Sequence, residues 1–252
     1  MGASISVQGV WKSFRTGDGE VSALEDMSFT VDEGEFVSIV GPSGCGKSTL
    51  LNVLAGFEPP DRGEALIDGR PIQGPSRRGI LITQRGSVFP WMTVRRNLEL
   101  ALNGARDAER HHIIAHHVNL VGLAGFEDRY PHELSGGMLQ RVEVARALVA
   151  KPDVLYMDEP FGALDALTRL SVRNELLRII TRDRPTCLLV THDVEEALHV
   201  ADRVFVMTPR PAKVASVVEV AVPQPRRMSH PELVGLKERI LTELGLSVAD
   251  VA

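Results

Sequence analysis

The run Gly41-Pro42-Ser43-Gly44-Cys45-Gly46-Lys47-Ser48-Thr49 gathers glycines, a lysine and hydroxyls in one short stretch. Glycine tolerates positive φ and carries no Cβ, so backbone N–H groups there can come close to anionic oxygens. A helix starting directly after the run adds partial positive charge at the same point. Lys47 offers a full charge to β- and γ-phosphates, Ser48 is placed to ligate Mg²⁺, and Thr49 stands one step behind it. The implied chemistry is the binding of a nucleoside triphosphate. A plain Gly/Ser turn with a surface lysine does not account for the complete spacing.

Two carboxylates close another apolar run, Val154-Leu155-Tyr156-Met157-Asp158-Glu159. Acidic groups are poor strand formers and costly to bury, so a pair in this place needs a reason. Beside a phosphate loop, Asp158 would hold Mg²⁺ through its water shell and Glu159 would polarise the attacking water. The plainer reading is a pair of solvent-facing acids ending a strand. His192 follows the run Thr186–Thr191 and reads either as a capped structural residue or, at the same sheet end as Lys47 and Glu159, as a contact to the γ-phosphate. Ser135-Gly136-Gly137 opens a helix and forms a second anion-binding device, from a hydroxyl, free N–H groups and the helix dipole. By itself such a Ser-Gly start is an ordinary cap. Gln84 follows the strand candidate Gly79–Thr83 and sits where open α/β sheets bind ligands. Phe14 stands in a polar neighbourhood. It reads equally as a packing residue at a sheet edge and as a stacking surface for an adenine ring.

These groups need a scaffold. Phe36–Val40 reads as a buried strand before the glycine loop, and Leu50–Gly56 as the helix after it. Ile5–Val10 and Met27–Val31 have strand character, and Asp32–Glu35 has hairpin-turn chemistry, so the N-terminal part is β-rich. From Phe89 to about Leu134 the pattern turns helical, with Thr93 as a cap and a second helix from roughly Ala105 to Val121. That helix carries His111, His112, His116 and His117, which read as a solvated face before they read as a metal site. Helices are expected over about 166–181 and 194–200, and an amphipathic one over 231–244. Strands alternating with helices predict an α/β fold with a mostly parallel sheet, an N-terminal antiparallel β subdomain and an inserted helical subdomain over about 88–140. The expected organisation is a single domain, 1–252, with a tail over 221–252.

The chain has 252 residues and a net charge of −5, so a nucleic-acid partner gains no general electrostatic support. No apolar run reaches the length of a membrane span. The start lacks the basic and apolar segments of a secretory signal. The two cysteines, Cys45 and Cys187, do not suggest a disulfide framework, and the cytosol is the natural compartment. Any membrane role is expected to come through a partner.

The motifs in order resemble the nucleotide-binding domains of the ATP-binding cassette (ABC) family over about residues 4–220. The matching parts are Gly41–Thr49, Gln84, Leu134–Gln140, Val154–Glu159, the loop at Asp165, and His192. Met138 stands where the family usually has Gln, and Thr83 where an aromatic is common. The resemblance implies ATP and Mg²⁺ as ligands, with Gln84 contacting the metal and the water. It also implies a head-to-tail dimer in which ATP lies between Lys47 of one copy and Ser135, Gly136 and Gly137 of the other, and Asp165 crosses the interface. Phe89-Pro90-Trp91-Met92-Thr93-Val94, Pro160–Asp165, Thr191–Ala197 and Pro209–Ala212 are similar to importer ATPases of the nitrate, sulfonate and taurine group, and related cassettes serve thiamine-precursor uptake. This implies integral membrane permease subunits as partners, an external solute-binding protein acting indirectly, and a place on the cytoplasmic face of the membrane. The apolar Phe89–Met92 run would then be a docking surface, unless it is core of the helical insertion. The competing expectation is a soluble cassette ATPase acting on DNA or ribosomes. Such proteins usually add a coiled coil, zinc-binding cysteines or a second cassette.

Overall fold

The computed structural model describes residues 2–17, 19–83, 87–102, 107–162 and 166–246. In chain order these form β1 (Ile5–Thr16), β2 (Gly19–Val31), β3 (Phe36–Val40), α1 (Lys47–Leu54), β4 (Arg62–Ile67), β5 (Arg70–Pro71) and β6 (Gly79–Ile82). There follow α2 (Val94–Glu99), α3 (Asp107–Leu120), α4 (Gly136–Val149), β7 (Val154–Asp158), α5 (Ala166–Asp183) and β8 (Thr186–Val190). The chain continues with α6 (Val194–Val200), β9 (Arg203–Met207), β10 (Val214–Glu219) and α7 (Pro231–Glu243).

The central sheet has the order β10-β9-β3-β8-β7-β6, parallel except for β10. Its inner strands are continuous apolar runs because both faces are covered. Alternate side chains serve opposite cores, as period-2 geometry requires. Val37, Ile39, Val154, Tyr156, Leu188 and Val190 meet α1 and the N-terminal sheet. Phe36, Val40, Leu155, Met157, Cys187 and Leu189 meet the helices on the other face. Val94 and Leu98 of α2 and Ile114 and Val118 of α3 belong to this second cluster, so the inserted helices share its core. Each such fully buried aliphatic side chain contributes roughly 1.5–3 kcal/mol.

The N-terminal sheet is antiparallel in the order β2-β1-β4-β5. The expectation for Asp32–Glu35 is corrected here. The turn does not close a hairpin, because β2 and β3 belong to different sheets. It redirects the chain instead. The Thr186 hydroxyl accepts from Gly34 N (3.0 Å) and the Asp202 carboxylate from Phe36 N (2.9 Å). β2 is also longer than the short strand expected at Met27–Val31, and register shifts along its pairing with β1 absorb the extra length. Thr93 caps α2 as expected, accepting from Arg96 N at 3.3 Å. His117 is buried with Nδ1 2.8 Å from the Ile113 carbonyl oxygen and belongs to the helix packing, while His116, edge-on against it, stays on the exposed face.

The segment after β10 is tied down by one buried arginine. Arg226 donates to the carbonyls of Leu198 (2.9 Å), Ala201 (2.6 Å), Val220 (3.0 Å) and Val222 (2.6 Å). It thereby satisfies the C-terminal end of α6, where carbonyls lack helical partners. Burial, with the Arg173 and Arg226 charges, pushes His199 on the same helix down to about 4. A histidine whose folded value is depressed contributes stability above its unfolded value of 6.5, and that stability is lost as pH falls toward 4. Thermal unfolding of wild type and His199→Gln across this window is expected to converge toward acid, the wild type losing more Tm. Parallel curves would remove His199 from the acid response.

Candidate active site

β3 ends at Val40 and α1 begins at Lys47, so the glycine loop spans the gap between a buried strand and a helix N-terminus. Gly44 has φ 71° and Gly46 φ 132°, both in the region that L side chains rarely adopt. A Cβ at Gly46 would lie 2.7 Å from the Ala23 carbonyl oxygen, so the loop also needs glycine there to pass the N-terminal sheet. Lys47 is buried, and its Nζ donates to the carbonyls of Gly41 (2.8 Å) and Pro42 (2.9 Å), which holds the ammonium inside the loop. Cys45 is buried as well.

The parallel register delivers the remaining chemistry to the same edge. Ile39 of β3 and Asp158 of β7 both pair with Val190 of β8. The residues following these strands therefore leave the sheet side by side. The Ser48 hydroxyl stands beside the Asp158 carboxyl group. Burial raises the Asp158 pKa and the Glu159 charge adds to this, while the Ser48 hydroxyl and the Lys47 charge pull it down. A partly buried carboxylate beside a hydroxyl is a ready pair of oxygen ligands for a hard divalent cation, so these residues fit Mg²⁺.

Glu159 has φ 47°, an uncommon conformation for a residue with a side chain. It is imposed by backbone bonds on either side: Glu159 N donates to Val190 O (2.9 Å), and Gly162 N donates to Glu159 O (3.1 Å). The effect is to bring Glu159 Oε1 to 3.1 Å from His192 Nδ1. The Glu159 side chain is only 21 % exposed and that of His192 63 %, so the carboxylate is shielded while the imidazole faces outward. Asp26, Asp68, Lys151 and Arg184 share this φ away from the site, so what sets Glu159 apart is the group its carboxylate reaches.

Lys47, Ser48, Asp158, Glu159 and His192 are thus brought together. Ser135, Gly136 and Gly137 sit on another element, the N-terminus of α4, whose main packing partners are α2, α3 and β6. The Ser135 hydroxyl accepts from Met138 N (3.3 Å) as the helix cap, and Ser135 and Gly136 are exposed. Phe14 lies on β1 with 37 % exposure, and the Lys12 ammonium sits 5.3 Å from its ring centroid. Gln84 and Asp165 lie outside the described residues.

Residues with no recognisable local signal also shape the site. Arg210, beyond β9, donates through Nε (3.1 Å) and Nη2 (2.5 Å) to the Gly44 carbonyl and so braces the glycine loop. Buried Asn97 folds the Phe89–Thr93 segment. Its Oδ1 accepts from Phe89 N (2.8 Å), and its Nδ2 donates to the carbonyls of Phe89 (3.2 Å), Met92 (3.1 Å) and Thr93 (3.0 Å). That segment is not core: Trp91 is 67 % exposed. Beside it lies a groove of about 490 Å³ lined by Ile80, Ser87, Phe89, Leu100, Glu143 and Arg146, among others.

Residues 24–162, which include the glycine loop, Ser135–Gly137 and the Asp158–Glu159 pair, match the family profile described as ABC transporter. The chain belongs to the ABC transporter family. Among relatives of this cassette, the nitrate import ATP-binding protein NrtD of Synechococcus elongatus is 46 % identical over 222 residues, covering 86 % of this chain and 81 % of that protein. The bicarbonate transport ATP-binding protein CmpC of Synechocystis sp. is 43 % identical over 251 residues, covering 96 % of this chain and 38 % of that longer protein. In three dimensions the cassette is similar to MJ0796, a bacterial ABC transporter cassette solved as a dimer, at TM-score 0.79 and 30 % identity, over 87 % of this chain and all of that one. The same cassette in a dimeric post-hydrolysis state bound to ADP and Pi gives TM-score 0.78. The α/β fold is that of an ABC cassette, and the cassette is an ATP-binding ATPase. Among the described residues, no helix is long and apolar enough to cross a membrane.

Proposed function

We propose that this cassette is the ATP-hydrolysing subunit of an importer for a small solute of the nitrate or bicarbonate kind. The hydrolytic part of the reading is carried by the strained Glu159, held 3.1 Å from His192 at the sheet edge that also presents Lys47 and Asp158. The importer part is supported by the names of the relatives. Residues 1–252 then act as one nucleotide-binding domain, with a helical arm over about 88–140 and a tail over 221–252.

In this reading the backbone N–H groups of Gly41, Pro42's loop neighbours Ser43 and Gly44, Cys45 and Gly46 cradle the phosphates, and Lys47 neutralises the β- and γ-oxygens. Phe14 stacks on the adenine with the ring face that Lys12 leaves free. Ser48, Asp158 and Gln84 would hold Mg²⁺, which when bound supplies charge neutralisation between the β- and γ-phosphates. Glu159 accepts a proton from the attacking water, and His192 and Gln84 orient the water and γ-phosphate. The phosphate loop forms one wall only. A second copy of the chain supplies Ser135, Gly136, Gly137 and Asp165 as the other, in keeping with the dimers formed by the similar cassette. The groove beside Phe89 and Trp91 is where permease subunits would dock, on the cytoplasmic face of the membrane, with an external solute-binding protein acting through them.

The test is purification of the full chain from its native membrane extract. A polytopic membrane protein is expected to accompany it, and nitrate or bicarbonate uptake by the assembly in vesicles is expected to require ATP. Recovery with ribosomes or DNA instead, and no membrane protein, would sink the importer reading.

A further inference from the structure

The loop carrying His192 is pinned more tightly than a strand-to-helix connection requires. Thr191 N extends the sheet by donating to Ile39 O (3.2 Å). The Thr191 hydroxyl donates to the Glu196 carboxylate and accepts from Asp193 N (3.1 Å). Asp193 caps α6 by accepting from Glu196 N at 3.0 Å. Residues on both sides of His192 are therefore fixed to one buried hydroxyl, and the imidazole projects from between them. Thr191 is 2 % exposed and Glu196 5 %.

A buried carboxylate is an expensive way to hold a threonine. Burial raises the pKa of Glu196, and the opposing influences are the Thr191 hydrogen bond and the charges of Arg173 and Arg169. Both arginines belong to α5.

We infer that Glu196 and Thr191 are positioning residues for catalysis: together they fix the His192 loop against Glu159. This rests on the reading of Glu159 and His192 as hydrolytic residues. The assembly acts on where the imidazole stands and leaves the phosphate loop untouched, so its loss appears in kcat and not in ATP binding. A displaced catalytic group costs about 10- to 100-fold in rate.

The experiment compares steady-state ATP hydrolysis, ATP affinity and Tm for wild type, His192→Ala, Thr191→Val and Thr191→Ser. Thr191→Val is expected to lower kcat about 10- to 100-fold with KM for ATP within about twofold, and Thr191→Ser, which restores the hydroxyl, to recover most of the rate. A folded Thr191→Val with wild-type kcat, beside an inactive His192→Ala, overturns the inference while leaving the His192 reading intact. An active His192→Ala brings down that reading, and this inference with it. Glu196→Gln and Glu196→Leu keep the question open to test if Thr191→Val does not fold. Gln retains an acceptor for the hydroxyl and is expected to stay within about threefold of wild type, whereas Leu falls with the Thr191→Val range. Equal rates for Gln and Leu count against it.

Discussion

Glu159→Gln is expected to lower steady-state ATP hydrolysis by roughly 10²–10⁴-fold, the usual span for loss of a positioned general base. The substitution keeps side-chain volume and the shielded position of Glu159, which is set by the backbone bonds to Val190 and Gly162. What disappears is the capacity to accept a proton from water. ATP binding uses the phosphate loop and is expected to persist within about threefold, since an amide removes one negative charge near the phosphates. In the proposed arrangement, bound ATP joins two copies and only hydrolysis parts them. The variant should therefore elute as an ATP-dependent dimer on size-exclusion chromatography, where wild type returns to monomer once ATP is consumed. Hydrolysis near the wild-type rate would remove Glu159 from the chemistry.

Lys47→Ala is expected to weaken ATP binding by about 100-fold, measured by titration of the purified chain with ATP. The charge-assisted contacts of a lysine to phosphate oxygens are worth about 1.5–3 kcal/mol, and 1.4 kcal/mol is tenfold in affinity. The fold should survive, because Lys47 Nζ bonds to carbonyls of the loop itself and anchors no strand. Unchanged affinity would exclude the loop as the phosphate site. The same variant tests the second wall. Mixing Lys47→Ala with a variant disabled at Ser135 should restore part of the hydrolysis that neither shows alone, since one of the two composite sites in the mixed dimer is intact. No recovery would show that Ser135 does not act across two copies.

Much of the scaffold was legible because the central strands are buried on both faces. Phe36–Val40 stands out as an apolar run before the glycine loop, and its bounds agree with the observed strand. The helix expected over 194–200 is observed with the same bounds, and Asp193 caps it. The N-terminal region was less legible. The alternation in β1 and β2 is interrupted by register shifts, and nothing local distinguishes a hairpin from a turn that passes between sheets. The site shows the same division. Lys47, Ser48, Asp158, Glu159 and His192 could be named from residue type and spacing. Arg210 on the Gly44 carbonyl, Asn97 under the Phe89 segment and Glu196 on Thr191 could not. Their partners are main-chain groups or buried hydroxyls, which leave no mark on residue type.

The amino-acid sequence by itself determined the chemical inventory: a phosphate-binding glycine loop, a carboxylate pair, a histidine and a second helix N-terminus, in an order that resembles one family. Only the tertiary structure decided which of these share a site. Asp158 and Ile39 both pair with Val190, so parallel strands distant in sequence end at one edge and release Lys47, Glu159 and His192 beside each other. The positive φ of Glu159, which aims its carboxylate at His192, is likewise held by hydrogen bonds with Val190 of β8 and Gly162 of the following turn and not by the residue itself. Spacing along a chain fixes what a segment can bind. Register between segments fixes what it can reach.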